Sequence, residues 1–157
     1  MNKKVLIAGT FDILHPGHVF LINEAAKLGD VYVIVATDKN REKTSGKKPI
    51  IPEEQRLEII KSLKNVKKAQ LGRRDNNWLL SIIQIKPDII LLGPNQRVNL
   101  NYLKDELSKI GFGHIIVKRL DKYYDKYDLS SSSLIKKKII NSNVGCENKT
   151  KILIYHQ

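Results

Sequence analysis

The apolar residues of this chain come in short continuous blocks. VLIA (5–8), VYVIVA (31–36) and IILL (89–92) contain no regular polar position, the pattern of strands buried on both faces in a parallel sheet. Two further strand-like runs cover 67–71 and 114–117, and the intervening stretches 17–28, 53–63, 78–84 and 102–110 read as helices. This alternation predicts an α/β fold with a doubly wound parallel sheet in a single domain. Pro52 followed by Glu53 and Glu54 marks a helix start, while Gly29 and Gly111 fall where helices would end. SSSSLIKKKII (130–140) predicts a serine-capped helix with a basic second half. KNREKTSGKK (39–48) has no apolar residue and predicts a mobile loop. It follows a strand's carboxyl end, where open α/β sheets bind ligands. Residues 1–141 are expected to form the domain, and 142–157 a C-terminal tail or extra strand.

Composition narrows the function classes. The 157 residues are enough for one substantial core. No apolar run approaches the length of a membrane span, and MNKK with its few following apolar residues does not read as a signal peptide. A cytoplasmic location without membrane partners is therefore expected. The lone Cys146 has no partner for a disulfide and fits no metal pattern. The formal net charge of +12, with seven Lys or Arg against one Glu between Arg56 and Arg74, suits either a solvated lysine-rich surface or a polyanionic partner. The few aromatics are not interleaved with the basic residues, which argues against nucleic acid.

The chemistry concentrates in GTFDILHPGH (9–18), where a strand becomes a helix. The helix start offers free N–H groups and the positive end of its dipole to an anion. Gly9 permits close backbone approach, and Thr10 adds a hydroxyl. Pro16 suits a first turn, and Gly17 removes bulk where a phosphate needs room. His15 and His18, three apart, project from one face. Such donors suit the charge that builds on a transferring phosphoryl or nucleotidyl group, where one well-placed donor supplies about 3–4 kcal/mol. Zinc ligation by both histidines is the alternative, but a third ligand is not nearby. A purely structural role is another.

This stretch resembles the HxGH signature of the nucleotidyltransferase superfamily, in the cytidylyltransferase-like form GTFD-x-x-H-x-G-H. Gly9, Thr10, Phe11, Asp12, His15, Gly17 and His18 all match, and the wider resemblance spans roughly residues 5–139. It implies a Rossmann-like sheet and transfer of a nucleotidyl group from an NTP to a phosphate-bearing acceptor, with release of pyrophosphate. Mg²⁺ or another divalent cation and a homodimer are implied with it. His15, His18, Thr10 and Lys48 would be catalytic, Lys48 by closing over the triphosphate. Gly9, Thr10, Phe11, His15, Pro16, Gly17 and His18 would line the nucleotide. Asn95, replacing a family Asp, and Ser131, Ser132 and Ser133, resembling the family's Ser/Thr-rich helix start, would line it too. Asp12, Arg56, Arg119 and Tyr124 would serve the acceptor.

GKKPIIPEEQR (46–56) and KPDIILLGPNQ (86–96) are most similar to archaeal-type FAD synthases, which implies ATP and FMN as substrates. CTP with glycerol 3-phosphate or a choline or ethanolamine phosphate, and ATP with 4′-phosphopantetheine, are the alternatives. Where those synthases carry cysteines this chain has DKYYDKYD (121–128). Tyr123, Tyr124 and Tyr127 would there stack on a flat ring or pack against the tail. A binding module without turnover is the remaining reading, opposed by the intact histidine pair.

Overall fold

In a computed structural model that describes residues 1–75 and 77–143, five parallel strands form one sheet. They are β1 (Lys4–Gly9), β2 (Asp30–Val35), β3 (Val66–Leu71), β4 (Ile89–Leu92) and β5 (Ile116–Arg119). Their spatial order is β3-β2-β1-β4-β5. The register sets Val5 beside Val31 and Ile89, and Leu6 beside Tyr32 and Ile90. Among the described residues the helices are α1 (Pro16–Ala26), α2 (Asp38–Ser45), α3 (Glu53–Lys61), α4 (Trp78–Ile85), α5 (Leu100–Lys109) and α6 (Ser132–Asn143).

The continuous apolar strands serve two cores at once because successive side chains point to opposite faces. Val5, Ile7, Val31, Val33, Val35 and Leu91 pack with Leu21, Ile22 and Ala25 of α1 and Ile60 of α3. Leu6, Ile90 and Leu92 pack on the other face with α4 (Ile82, Ile85) and α5 (Leu103, Leu107). The expected doubly wound, Rossmann-like fold is therefore what forms. The chain leaves β1 toward β2 but leaves β4 toward β5, so the order reverses between β1 and β4. Ligands of such sheets bind at the carboxyl ends of that pair.

Element ends follow the capping signals. Gly111, at φ 81, terminates α5 with hydrogen bonds from Gly111 N to Ser108 O (3.1 Å) and from Phe112 N to Leu107 O (2.8 Å), which satisfies two otherwise free carbonyls. Ser131 caps α6, its Oγ accepting from Leu134 N at 3.3 Å. The edge strand expected at 114–117 runs two residues later, and Pro52 precedes α3 rather than opening it.

One expectation fails. Most of 39–48 is helix α2, not a mobile loop. Thr37, fully buried, caps it by accepting from Asn40 N, Gly46 closes it at φ 73, and Asn40 Nδ2 donates to Arg73 O at 2.7 Å. No residue of α2 is buried, so it has no apolar period to read. Caps and polar ties hold it. The tail strand expected beyond residue 143, and Cys146, lie outside the described residues.

Candidate active site

The turn after β1 is built around the helix start. His15 is the N-cap of α1, and its Nδ1 accepts from His18 N at 3.3 Å, with Pro16 opening the helix. This bond occupies the Nδ1 lone pair and leaves the ring proton on Nε2. The two imidazoles stack with centroids 3.6 Å apart and 22° between planes. Phe11 supports them from below: it is buried at 4% exposure, and its ring centroid lies 5.1 Å from that of His18. To reach this position Phe11 takes a left-handed backbone, φ 52, which costs a side-chain-bearing residue about 1–2 kcal/mol. Gly9 is required beneath it, since a Cβ there would stand 3.0 Å from the Phe11 ring. Phe11 thus supports the histidines and is closed off from a ligand.

Both histidines are neutral near pH 7. Burial lowers the pKa of His15. Burial, reinforced by the neighbouring His15, pushes that of His18 down to about 3, against a smaller opposing pull from Asp12. They can therefore act as neutral hydrogen-bond donors, and positive charge at the site falls to lysines and arginines. His18 Nδ1 is buried without a hydrogen-bond partner among the described residues.

Asp12 ties three segments together. Its Oδ1 accepts from Ile50 N (2.8 Å) and Ile51 N (2.9 Å), and its Oδ2 pairs with Lys136 Nζ of α6 at 2.6 Å. Burial alone would raise its pKa, but the Lys136 and backbone bonds outweigh that and hold it below the ordinary carboxylate value. Arg56 is likewise spent inside the protein. With no exposure, it donates to Ile51 O, to Thr10 O and to Asp38 Oδ1 (2.6 Å). Asp38 and Glu53 cap each other's helices, Glu53 Oε2 accepting from Asp38 N at 2.6 Å and Asp38 Oδ2 from Glu53 N at 3.3 Å. Asp12 and Arg56 accordingly shape the site from within the protein, with each carboxylate oxygen and each guanidinium nitrogen already bonded to a protein partner.

The remaining expected residues divide into those at the switch point and those outside it. A Cβ on Gly17 would lie 2.4 Å from Ser130 O, so the serine start of α6 rests directly on the start of α1, bringing Ser131 and Ser132 to the histidine turn. Thr10, half-buried, holds its carbonyl toward Arg56. Asn95 is exposed on the loop after β4, and Arg119 ends β5 with its guanidinium donating to Val98 O of the same loop. Lys48 is exposed and lies 3.8 Å from Glu42. It lines a cleft of about 370 Å³ with Asp38, Lys39, Glu53, Glu54 and Arg74. It sits two residues before the segment tethered by Asp12. Tyr124 packs on Phe20 of α1 (5.4 Å) and on Tyr127 (5.9 Å), which is aromatic packing outside the histidine turn.

Together these features place two stacked neutral imidazoles and a helix start at the reversal of strand order. The Cytidylyltransferase-like family matches residues 6–138. The chain belongs to that family. It is 43% identical over 139 residues to the FAD synthase of Methanobrevibacter smithii, covering 86% of this chain and 90% of that protein. It is 48% identical over 116 residues to the FAD synthase of Methanosarcina mazei, covering 73% and 75%. A solved structure described as a lipopolysaccharide core biosynthesis protein from Thermoplasma volcanium superposes with a TM-score of 0.74 at 37% identity. It covers 80% of this chain and all of that one.

Within this family frame, four contributing residues went unread in the sequence. Gln96 bridges the switch point, its Oε1 accepting from Gly93 N and its Nε2 donating to Ala8 O, both at 2.7 Å. Its place in the GPNQ turn was the available signal. Asp38 and Glu53 carried none beyond ordinary helix-start preferences, because their pairing joins helices 15 residues apart. Lys136 looked like one member of a basic run.

Proposed function

We propose that this chain is an FMN adenylyltransferase, converting ATP and FMN to FAD and pyrophosphate. The observation that carries the choice of substrates is the 41–48% identity to curated FAD synthases over most of the chain. The histidine turn supports the reaction type. A phosphate oxygen of FMN attacks the α-phosphorus of ATP, the bond to the bridging oxygen breaks, and that oxygen leaves with pyrophosphate. The FMN phosphate is already anionic, so no general base is needed, and catalysis consists of positioning and charge stabilisation.

In this reading the Nε2–H of His15 and the ring of His18 meet phosphate oxygens as charge builds on them, beside Thr10 and the Ser131–Ser132 start of α6. Lys48 swings from Glu42 onto the triphosphate, and Asn95 and Arg119 border the nucleotide from the β4 and β5 ends. Among the described residues no three ligating side chains gather for a metal. Asp12, Asp38 and Glu53 are already paired with donors. The divalent cation expected from the resemblance would enter with the nucleotide, held on the nucleotide's own oxygens as part of the substrate.

The test is a chromatographic assay with Mg²⁺, pairing ATP or CTP with FMN, glycerol 3-phosphate or phosphocholine. FAD and pyrophosphate from ATP plus FMN alone is the expected result. A CDP-linked product would overturn the assignment.

A further inference from the structure

We propose that Lys136 of α6 is a positioning residue for the nucleotide triphosphate, acting through Asp12; this rests on the functional reading above. Asp12 lies inside the signature turn, between Thr10 and His15, with its carboxylate buried at 5% exposure. A buried carboxylate beside a triphosphate site is a liability, because like charges repel strongly where water is excluded. The fold answers it on both oxygens. Oδ1 holds the backbone N–H groups of Ile50 and Ile51, and Oδ2 holds the Lys136 ammonium at 2.6 Å. Among the described residues Lys136 is the only side chain paired with Asp12.

The pair does more than cancel charge. It links residues 124 positions apart and so joins the signature turn to α6, whose serine start rests on Gly17. Through Oδ1 the same carboxylate fixes the segment that follows Lys48. One ion pair thereby sets three phosphate-facing segments, the turn, the serine start and the lysine-bearing approach, in a single arrangement. Lys136 sits within α6 rather than at its first residues, and its side chain is 37% exposed. It reaches past the helix start to Asp12, which takes up its ammonium.

The test measures Mg-ATP affinity by calorimetry, without FMN, alongside kcat and KM for FAD formation. The enzymes are wild type, K136M, K136R, D12N and the double variant D12N/K136M. K136M keeps the aliphatic stem and loses the charge. It is expected to weaken ATP binding about tenfold or more, with a smaller change in kcat, while K136R restores most of the affinity. Because Lys136 acts through Asp12, the double variant should bind ATP as D12N alone does. ATP affinity in K136M equal to wild type, or a double variant well below D12N, would overturn the proposal, the latter by showing that Lys136 works independently of Asp12. If K136M does not fold, the comparison of D12N with D12N/K136M, where no carboxylate is left unpaired, decides the matter alone. A wild-type protein that binds ATP yet forms no FAD would overturn the FMN assignment while leaving the coupling measurable. Absent coupling with FAD formation intact would overturn this proposal only.

Discussion

Replacing Gly17 by Ala tests the assembly of the site by adding a single methyl group. The new Cβ would stand 2.4 Å from Ser130 O and 3.1 Å from two atoms of the His15 ring. Ordinary contact lies near 3.4 Å, so the Ser130 backbone must retreat by about 1 Å, tilt the start of α6 away from α1, or push His15 off its stack with His18. Displacing catalytic groups by that distance costs about 10²-fold in rate. Stability should move far less, because about 1–3 kcal/mol of overpacking is partly offset by the roughly 1 kcal/mol that Ala gains over Gly in a helix. G17A should therefore fold, with a urea midpoint close to wild type, and lose about two orders of magnitude in kcat/KM for FAD formation. Gly72→Ala is the control, since its Cβ would meet only Ile34 at 3.4 Å and Val35 O at 3.6 Å and should leave activity unchanged. A G17A enzyme with wild-type kcat/KM would refute the claim that the contact between α1 and the serine start organises the site.

Other perturbations probe different parts of the same arrangement. H15A and H18A should each lower kcat by about 10²–10³-fold while changing ATP affinity much less, as expected of donors whose strongest interaction is with transition-state charge; single-turnover kinetics separates the two effects. Acid should destabilise the fold through His18. Its folded pKa is about 3 against an ordinary 6.5, so its contribution is complete above 6.5 and is lost as pH falls, because the unfolded chain takes up a proton that the folded one refuses. Discounted for the partial exposure of the ring, the loss is about 2 kcal/mol between pH 6.5 and 4. Urea unfolding of wild type and H18N across that range should show a shallower slope in H18N, and equal slopes would sink the argument. Arg56→Lys should cost about 3 kcal/mol or more, because a single ammonium cannot replace a buried guanidinium serving Ile51, Thr10 and Asp38. Urea denaturation measures it, and near-native stability would refute the inferred role.

The fold and the position of the signature turn were legible in the linear chain because both rest on local rules. Continuous apolar strands of four to six residues, alternating with helical stretches, match a parallel sheet covered on both faces. The sequence Gly9-Thr10…His15-Pro16-Gly17-His18 satisfies strand exit, phosphate approach and helix start within ten residues. Even the serine cap of α6 is a local preference that the structure repeats. Helix α2 was missed for the converse reason: it buries nothing, and hydrophobic periodicity is silent about a helix held by Thr37, Gly46 and a side-chain bond to a strand end 33 residues away.

Roles within the site were decided only by tertiary structure. Asp12 and Arg56 belong to the matching motifs, and nothing in the chain distinguishes a residue facing the ligand from one behind it. Packing makes that distinction: it buries both and engages each carboxylate oxygen of Asp12 and each guanidinium nitrogen of Arg56 within the protein. Lys136 carries no local signature of importance, and the GPNQ turn marks Gln96 without saying what it holds, since each acts on a group 88 or 124 residues distant. The order of residues therefore determined which backbone would form and where phosphate chemistry would sit. Which side chains remain free to perform it depends on burial and long-range hydrogen bonding, which exist only once the sheet has brought the ends of β1 and β4 together.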